Sequence, residues 1–173
     1  MTDRTDRREL LVKLGIAAGG VGLCAQAAAS LRSLVPTLQA QMFTAQGRWA
    51  EALAVFDAHL EGALREGMGN QAACLHADAA WCAWNLQNLE RCQAGIAAAR
   101  AGLQDDCDAD DRAMALARLA QVQAAMGDAQ EAARCRQGAQ AALDEHRNHQ
   151  QALLTALDAA LAGLPPERLM PAR

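Results

Sequence analysis

Gly47-Arg48-Trp49-Ala50-Glu51-Ala52-Leu53 returns, with its shape intact, as Gly127-Asp128-Ala129-Gln130-Glu131-Ala132-Ala133, at an offset of 80 residues. Gln87-Asn88-Leu89-Glu90-Arg91-Cys92-Gln93 lies halfway between them, so the frame recurs every 40 residues. Seven residues before each turn stands Ala40, Ala80 or Ala120, and five after it Ala52, Cys92 or Ala132. Nine after it come Phe56, Ile96 and Arg136. Self-similarity at a fixed period is the mark of a repeat architecture, in which each unit buries its apolar face on its neighbours.

The frame describes a helical hairpin. Small residues at matched positions let two helices cross closely. Gly47 and Gly127 suit a helix end that needs a left-handed residue, and Asn88 and Asp128 suit the first cap of the helix that follows. The longer connections near Gly67-Met68-Gly69-Asn70, Asp105 to Asp111 and Arg147-Asn148 keep the same spacing. These signals predict helices over 32–46, 49–66, 70–86, 89–103, 109–126 and 129–146. A further helix over 149–163, striped by Leu153, Leu154, Leu157 and Leu161, is expected to cap the stack. Pro165-Pro166 would end it and leave 165–173 as a flexible tail. The expected fold is all-α: an α-solenoid of about three hairpins over 31–164, plus the C-terminal capping helix.

The pattern Ala40…Phe43…Gly47-x-Trp49…Ala52…Phe56 resembles a tetratricopeptide repeat, which places small residues at close helix contacts, Gly at the turn and aromatics around them. The resemblance covers roughly residues 33–145. It is good in the first unit, fair in the third and degenerate in the second, where Gln87 replaces the turn Gly. Ala83 and Gln123 stand where an aromatic is usual, and Arg136 where an apolar residue is usual. The period also exceeds the family's 34, which implies helices of about 15–17 residues, some 24 Å each.

Composition agrees with this class. Apolar residues make up 52% of the chain and charged residues 21%, which is globular rather than disordered. The apolar share is mostly Ala and Leu, strong helix formers, with few β-branched residues to build a sheet. Net charge is −4, and no basic cluster outside the first residues converges to release counterions from a phosphate backbone, so nucleic acid is not an expected partner. The six cysteines form no C-x-x-C pair, and most sit inside apolar helical patterns, where a free thiol behaves as a small hydrophobe.

The first thirty residues, MTDRTDRRELLVKLGIAAGGVGLCAQAAAS, carry a second resemblance. Asp6 to Lys13 is similar to a bacterial twin-arginine export leader: Arg7 and Arg8 are paired, Leu10 follows two places on, and Lys13 comes soon after. A weakly apolar run to Ala29 follows, with Ala25-Gln26-Ala27 as a small-residue cleavage pattern. That resemblance implies export to the periplasm or beyond. The same residues equally fit an N-terminal amphipathic helix of a cytoplasmic protein, packing Leu10, Leu11, Leu14, Ile16 and Val21 on the first hairpin. The run is shorter than the roughly 20 apolar residues a bilayer span needs, so no stable membrane span is expected.

The repeat resemblance also implies where a partner would bind. Stacked hairpins present their first helices along a concave face. Carrying the family's groove-facing positions across by frame selects Gln41, Thr44 and Ala45, then Trp81, Trp84 and Asn85, then Arg118, Gln121 and Ala125. Trp81 and Trp84 share a helix face and are either binding anchors or fillers of space left by the many alanines. The expected function is a protein–protein interaction module holding a peptide or protein in that groove. A structural subunit that self-associates through Ala-rich faces and the terminal helix is the alternative, and a carrier with the groove closed by the N-terminal helix is a third.

Catalytic and metal chemistry are weakly represented. The acidic loop from Asp105 to Asp111 fails as a calcium loop, because Asp111 and Ala117 stand where a start at Asp106 requires Gly and Glu. His146 and His149 lie one turn apart without a completing ligand at a convincing spacing. With two Ser and no Gly-rich phosphate loop, no nucleophile–base constellation emerges, and neither enzyme activity nor a cofactor is expected.

Overall fold

A computed structural model describes residues 34–103 and 107–162. Every regular element among them is helical. Helix α1 covers 34–45, α2 Trp49–Ala63, α3 Ala72–Asn85, α4 Leu89–Ala101, α5 Ala109–Ala125 and α6 Ala129–Ala162. A wider π-type turn at Leu64–Met68 and a 3-10 turn at Gly69–Gln71 join α2 to α3. The expectations for residues 1–30 and for the tail at 165–173 lie outside the described residues. Among those described, no helix is long and apolar enough to cross a membrane.

One turn is built three times. The Arg48 N–H donates to the Phe43 carbonyl at 2.9 Å, and the Gly47 N–H to that of Thr44 at 3.2 Å. The same pair of bonds joins Asn88 to Ala83 and Gln87 to Trp84, then Asp128 to Gln123 and Gly127 to Ala124. This is the Schellman closure, whose pivot residue must be left-handed. The pivots have φ of 73° at Gly47, 59° at Gln87 and 86° at Gly127. The conformation is thus conserved within the chain where the glycine is not. A side chain in that region costs about 1 kcal/mol or more. Gln87→Gly is therefore expected to raise stability by about 0.5–1 kcal/mol after the glycine's greater unfolded-state freedom is subtracted. Urea unfolding checks this; a variant no more stable than the native chain would show that Gln87 carries no strain.

The caps follow the sequence at two turns of three. Asn88 Oδ1 accepts from the Arg91 N–H at 3.1 Å, and Asp128 Oδ1 from the Glu131 N–H at 2.9 Å. Arg48 has no acceptor to offer, and α2 starts without a side-chain cap. Asp108, at the start of α5, makes no side-chain capping bond; its carboxylate instead accepts from Asn70 Nδ2 at 3.4 Å.

Packing explains the matched small residues. Ala40, Ala52, Ala80, Cys92, Ala120 and Ala132 are all at most 4% exposed. α3 lies in the middle, against α2, α4 and α5, while α5 packs on α6. The α3–α4 crossing is the tightest: a Cβ on Gly95 would stand 2.9 Å from the Ala80 Cβ, so only hydrogen fits. Phe56, Leu60, Leu75, Leu119 and Val122 fill the wider gaps. Arg136 occupies the frame position of buried Phe56 and Ile96, but it is exposed. No further helix packs beyond α6 among the described residues, so the charge there is not desolvated.

The C-terminal expectation needs correction. Among the described residues there is no connection at Arg147-Asn148, and the capping helix expected over 149–163 is not separate from the helix before it. α6 is a single helix of 34 residues, and Leu153, Leu154 and Leu157 remain more than half exposed along it. The stretch around Arg147 holds neither Gly nor Pro. Local bonds from Gln140 and Arg147 to Asp144 support the helix through it. Helix-forming residues stabilised at i,i+3 and i,i+4 outweigh a spacing argument that no breaker enforces.

Candidate functional site

Three helices separated by long stretches of chain converge on one open groove of about 420 Å³. Gln41 and Ala45 come from α1, Cys74 and Asp78 from α3, and Met114, Ala117, Arg118 and Gln121 from α5. Of the positions selected from sequence, the structure thus brings together Gln41, Ala45, Arg118 and Gln121.

The groove is organised around Asp78, which is 7% exposed. Arg118 Nε donates to Asp78 Oδ1 at 2.6 Å, and Arg118 Nη1 donates to Gln121 Oε1 at 2.6 Å. Burial pushes the Asp78 carboxyl above its ordinary range, with the charge and hydrogen bond of Arg118 pulling the other way. The guanidinium side chain keeps 29% of its exposure. It has five N–H donors in a planar fork. Two serve Asp78 and Gln121, so it can still donate toward an acceptor lying in the groove. Gln41 and Gln121 add amides that can both donate and accept. Met114 adds a flexible apolar wall that adapts to irregular surfaces.

Sequence reasoning missed Asp78. The signal was present: α3 is otherwise Ala-, Cys- and Trp-rich, and a single carboxylate in such a run needs a partner. Arg118, 40 residues on, stands at the same frame position.

The remaining predicted contacts lie elsewhere. Thr44 is buried, its hydroxyl donating to the Ala40 carbonyl at 2.9 Å and lying 3.2 Å from Cys82 Sγ, so it ties α1 to α3 instead of facing a ligand. Trp81 is half-buried and meets Trp49 of α2 edge to face, ring centres 6.2 Å apart. Trp84 is half-buried against the same core. Asn85 is exposed and donates back to the Trp81 carbonyl at 2.8 Å. Ala125, exposed at the end of α5, is not among the lining residues. Because α3 is packed on three sides, the arc it leaves open is narrower than on α1 or α5. Cys74 and Asp78 occupy that arc, while the tryptophans turn toward neighbours. Trp81→Ala is expected to cost about 2 kcal/mol, for lost burial and the aromatic pair. A Tm unchanged by the substitution would show that Trp81 is not structural.

The groove thiol is chemically quiet. Cys74 is pushed up to about 12, first by burial and then by Asp78 and Asp111. Burial also raises Cys82, Cys92 and Cys135. The five described cysteines, Cys107 included, form no disulfide with one another and are buried. A thiol held neutral is a poor nucleophile and a poor metal ligand. His146 and His149 line a polar recess with Asp108, Asp110, Arg112 and Glu145. Among the described residues, no three His, Cys, Asp or Glu side chains are grouped as a metal set.

Beside it, between α5 and α6, lies a larger and more apolar groove of about 680 Å³. Neither a protein-family model, nor a curated protein, nor a solved structure matches this chain.

Proposed function

We propose that this chain is a TPR-like α-solenoid of helical hairpins, acting as an interaction module that holds a peptide or protein segment in the groove of α1, α3 and α5. The observation that carries this reading is the convergence of Gln41, Asp78, Arg118 and Gln121 on one open, partly polar groove, from helices related by the 40-residue frame. A buried ion pair at its floor holds a guanidinium in one pose, so little ordering cost remains when a ligand carboxylate or carbonyl meets it. The raised thiol and the tightly bonded Asp78 supply no activated nucleophile, which favours recognition over catalysis. The N-terminal stretch is read either as a leader that would deliver the module for export or as an N-terminal helix of a cytoplasmic protein, and the groove reading rests on neither.

Ala45 is exposed at the groove rim, and Ala45→Trp fills the groove without disturbing the core. Affinity capture with the native chain, followed by mass spectrometry, should return a partner that the Ala45→Trp chain loses at unchanged Tm. A partner retained by the filled variant would place binding outside this groove.

A further inference from the structure

The apolar groove between α5 and α6 and the leucine stripe on the free end of α6 are two halves of one arrangement. The groove takes Arg136, Ala139, Gln140 and Leu143 from α6, opposite Met114 and Ala124 of α5. The stripe is Gln150, Leu153, Leu154 and Leu157. Each residue of the stripe is a groove residue displaced by 14, which is two heptads, so both sets lie on nearly one face of a straight helix.

A face of that kind is self-complementary under a two-fold axis. In an antiparallel pair of α6 helices crossing between His146 and Arg147, Leu143 meets the partner copy's position 150, Gln140 meets 153, Ala139 meets 154 and Arg136 meets 157. All four matches occur in one register, and symmetry makes each twice. Two flanking charge pairs fit the same register, while His146 faces Arg147 of the second copy at the crossing itself. Arg136, exposed in the groove, falls beside exposed Asp158 of the second copy, and Asp144 opposite His149.

We infer that a second copy of this chain occupies the groove: the free end of each α6 lies between α5 and α6 of the other, forming an antiparallel two-fold dimer. The overhang of α6 is then a reciprocal arm, which accounts for three leucines left in solvent on an end of α6 that no other element among the described residues covers. Groove and stripe contribute fourteen residues per copy. A standard interface uses about 20–30 a side for roughly 800 Å², so this one buries on the order of 500 Å² per copy and predicts a micromolar dimer. The surface is separate from the Asp78–Arg118 groove except along α5, where Met114, Ala117 and Gln121 border both.

Sedimentation equilibrium of the full chain at tens to hundreds of micromolar should show a monomer–dimer equilibrium. Leu154→Glu, at a site already exposed, should leave the helical signal and Tm intact and weaken the dimer by about tenfold or more. Arg136→Glu should weaken it as well, and Arg136→Glu with Asp158→Arg should restore it. A chain that stays monomeric at the highest concentration overturns the inference, whatever else covers the groove. A dimer indifferent to Leu154→Glu, or one not restored by the charge exchange, overturns it equally. Binding of a peptide partner survives all of these variants if only the dimer is wrong.

Discussion

Arg118→Ala is expected to destabilise the chain by about 3 kcal/mol at neutral pH. Removing one member of a buried pair leaves the other uncompensated, and Asp78 is 7% exposed. The figure sits at the low end for such pairs because the Arg118 side chain keeps 29% exposure. The deficit should depend on pH in a definite direction. Burial already raises the Asp78 carboxyl, and Arg118 opposes that rise. Without Arg118 it rises further. A group whose folded pKa is raised contributes stability that is complete below its unfolded pKa and lost as pH rises through the folded one. The variant should therefore regain stability on acidification more than the native chain does, and the gap between them should narrow as Asp78 takes up a proton. Arg118→Lys should recover part of the loss, since it restores the charge but not the fork. Urea unfolding across the acid range is the check. A deficit that does not change with pH would mean that Arg118 acts only through the packing of its stem.

The alkaline side offers the second large effect. Cys74 is held at about 12 against a reference of 9.0, and Cys82, Cys92 and Cys135 are raised as well. In the unfolded chain these thiols ionise near their ordinary values. Above that range the unfolded state carries fewer protons than the folded one, so stability falls as pH rises. At about pH 10.5, Cys74 alone should cost about 2 kcal/mol, with the other three adding to it. The readout is clean because the chain has no Tyr and one lysine, Lys13, so thiols are the main side chains titrating in this window. Cys74→Ala should flatten part of the alkaline slope measured by urea unfolding at a series of pH values. Stability that holds level from neutral pH to about 10.5 would show that the thiols are not held neutral by the fold.

The hairpins were legible because their signals are local. Ala40, Ala80 and Ala120 mark the crossings, and a Schellman turn with an Asn or Asp cap is encoded within six residues. Gln87 shows the limit of residue identity: packing on either side imposes the left-handed pivot whether or not glycine supplies it. The end of α6 was misread because a repeat spacing was trusted where no glycine or proline stops the helix. The groove was half legible. Gln41, Ala45, Arg118 and Gln121 follow from the frame, since α1 and α5 flank it. Trp81 and Trp84 do not, because α3 is central and those positions face neighbouring helices, and neither does Thr44, which turns from α1 onto Cys82 of α3. Exposure at a frame position depends on what packs beside the helix, and that is not written in the helix's own residues.

The most direct measurement places a photo-reactive amino acid at position 45, on the groove rim, and in a separate chain at position 97, on the exposed face of α4. Both full-length chains are irradiated in cells that make the protein. Groove recognition predicts a single covalent adduct from position 45, abolished by Gln121→Trp, and none from position 97. An adduct that forms from position 97 and not from position 45 would contradict it, and would move partner recognition to α4.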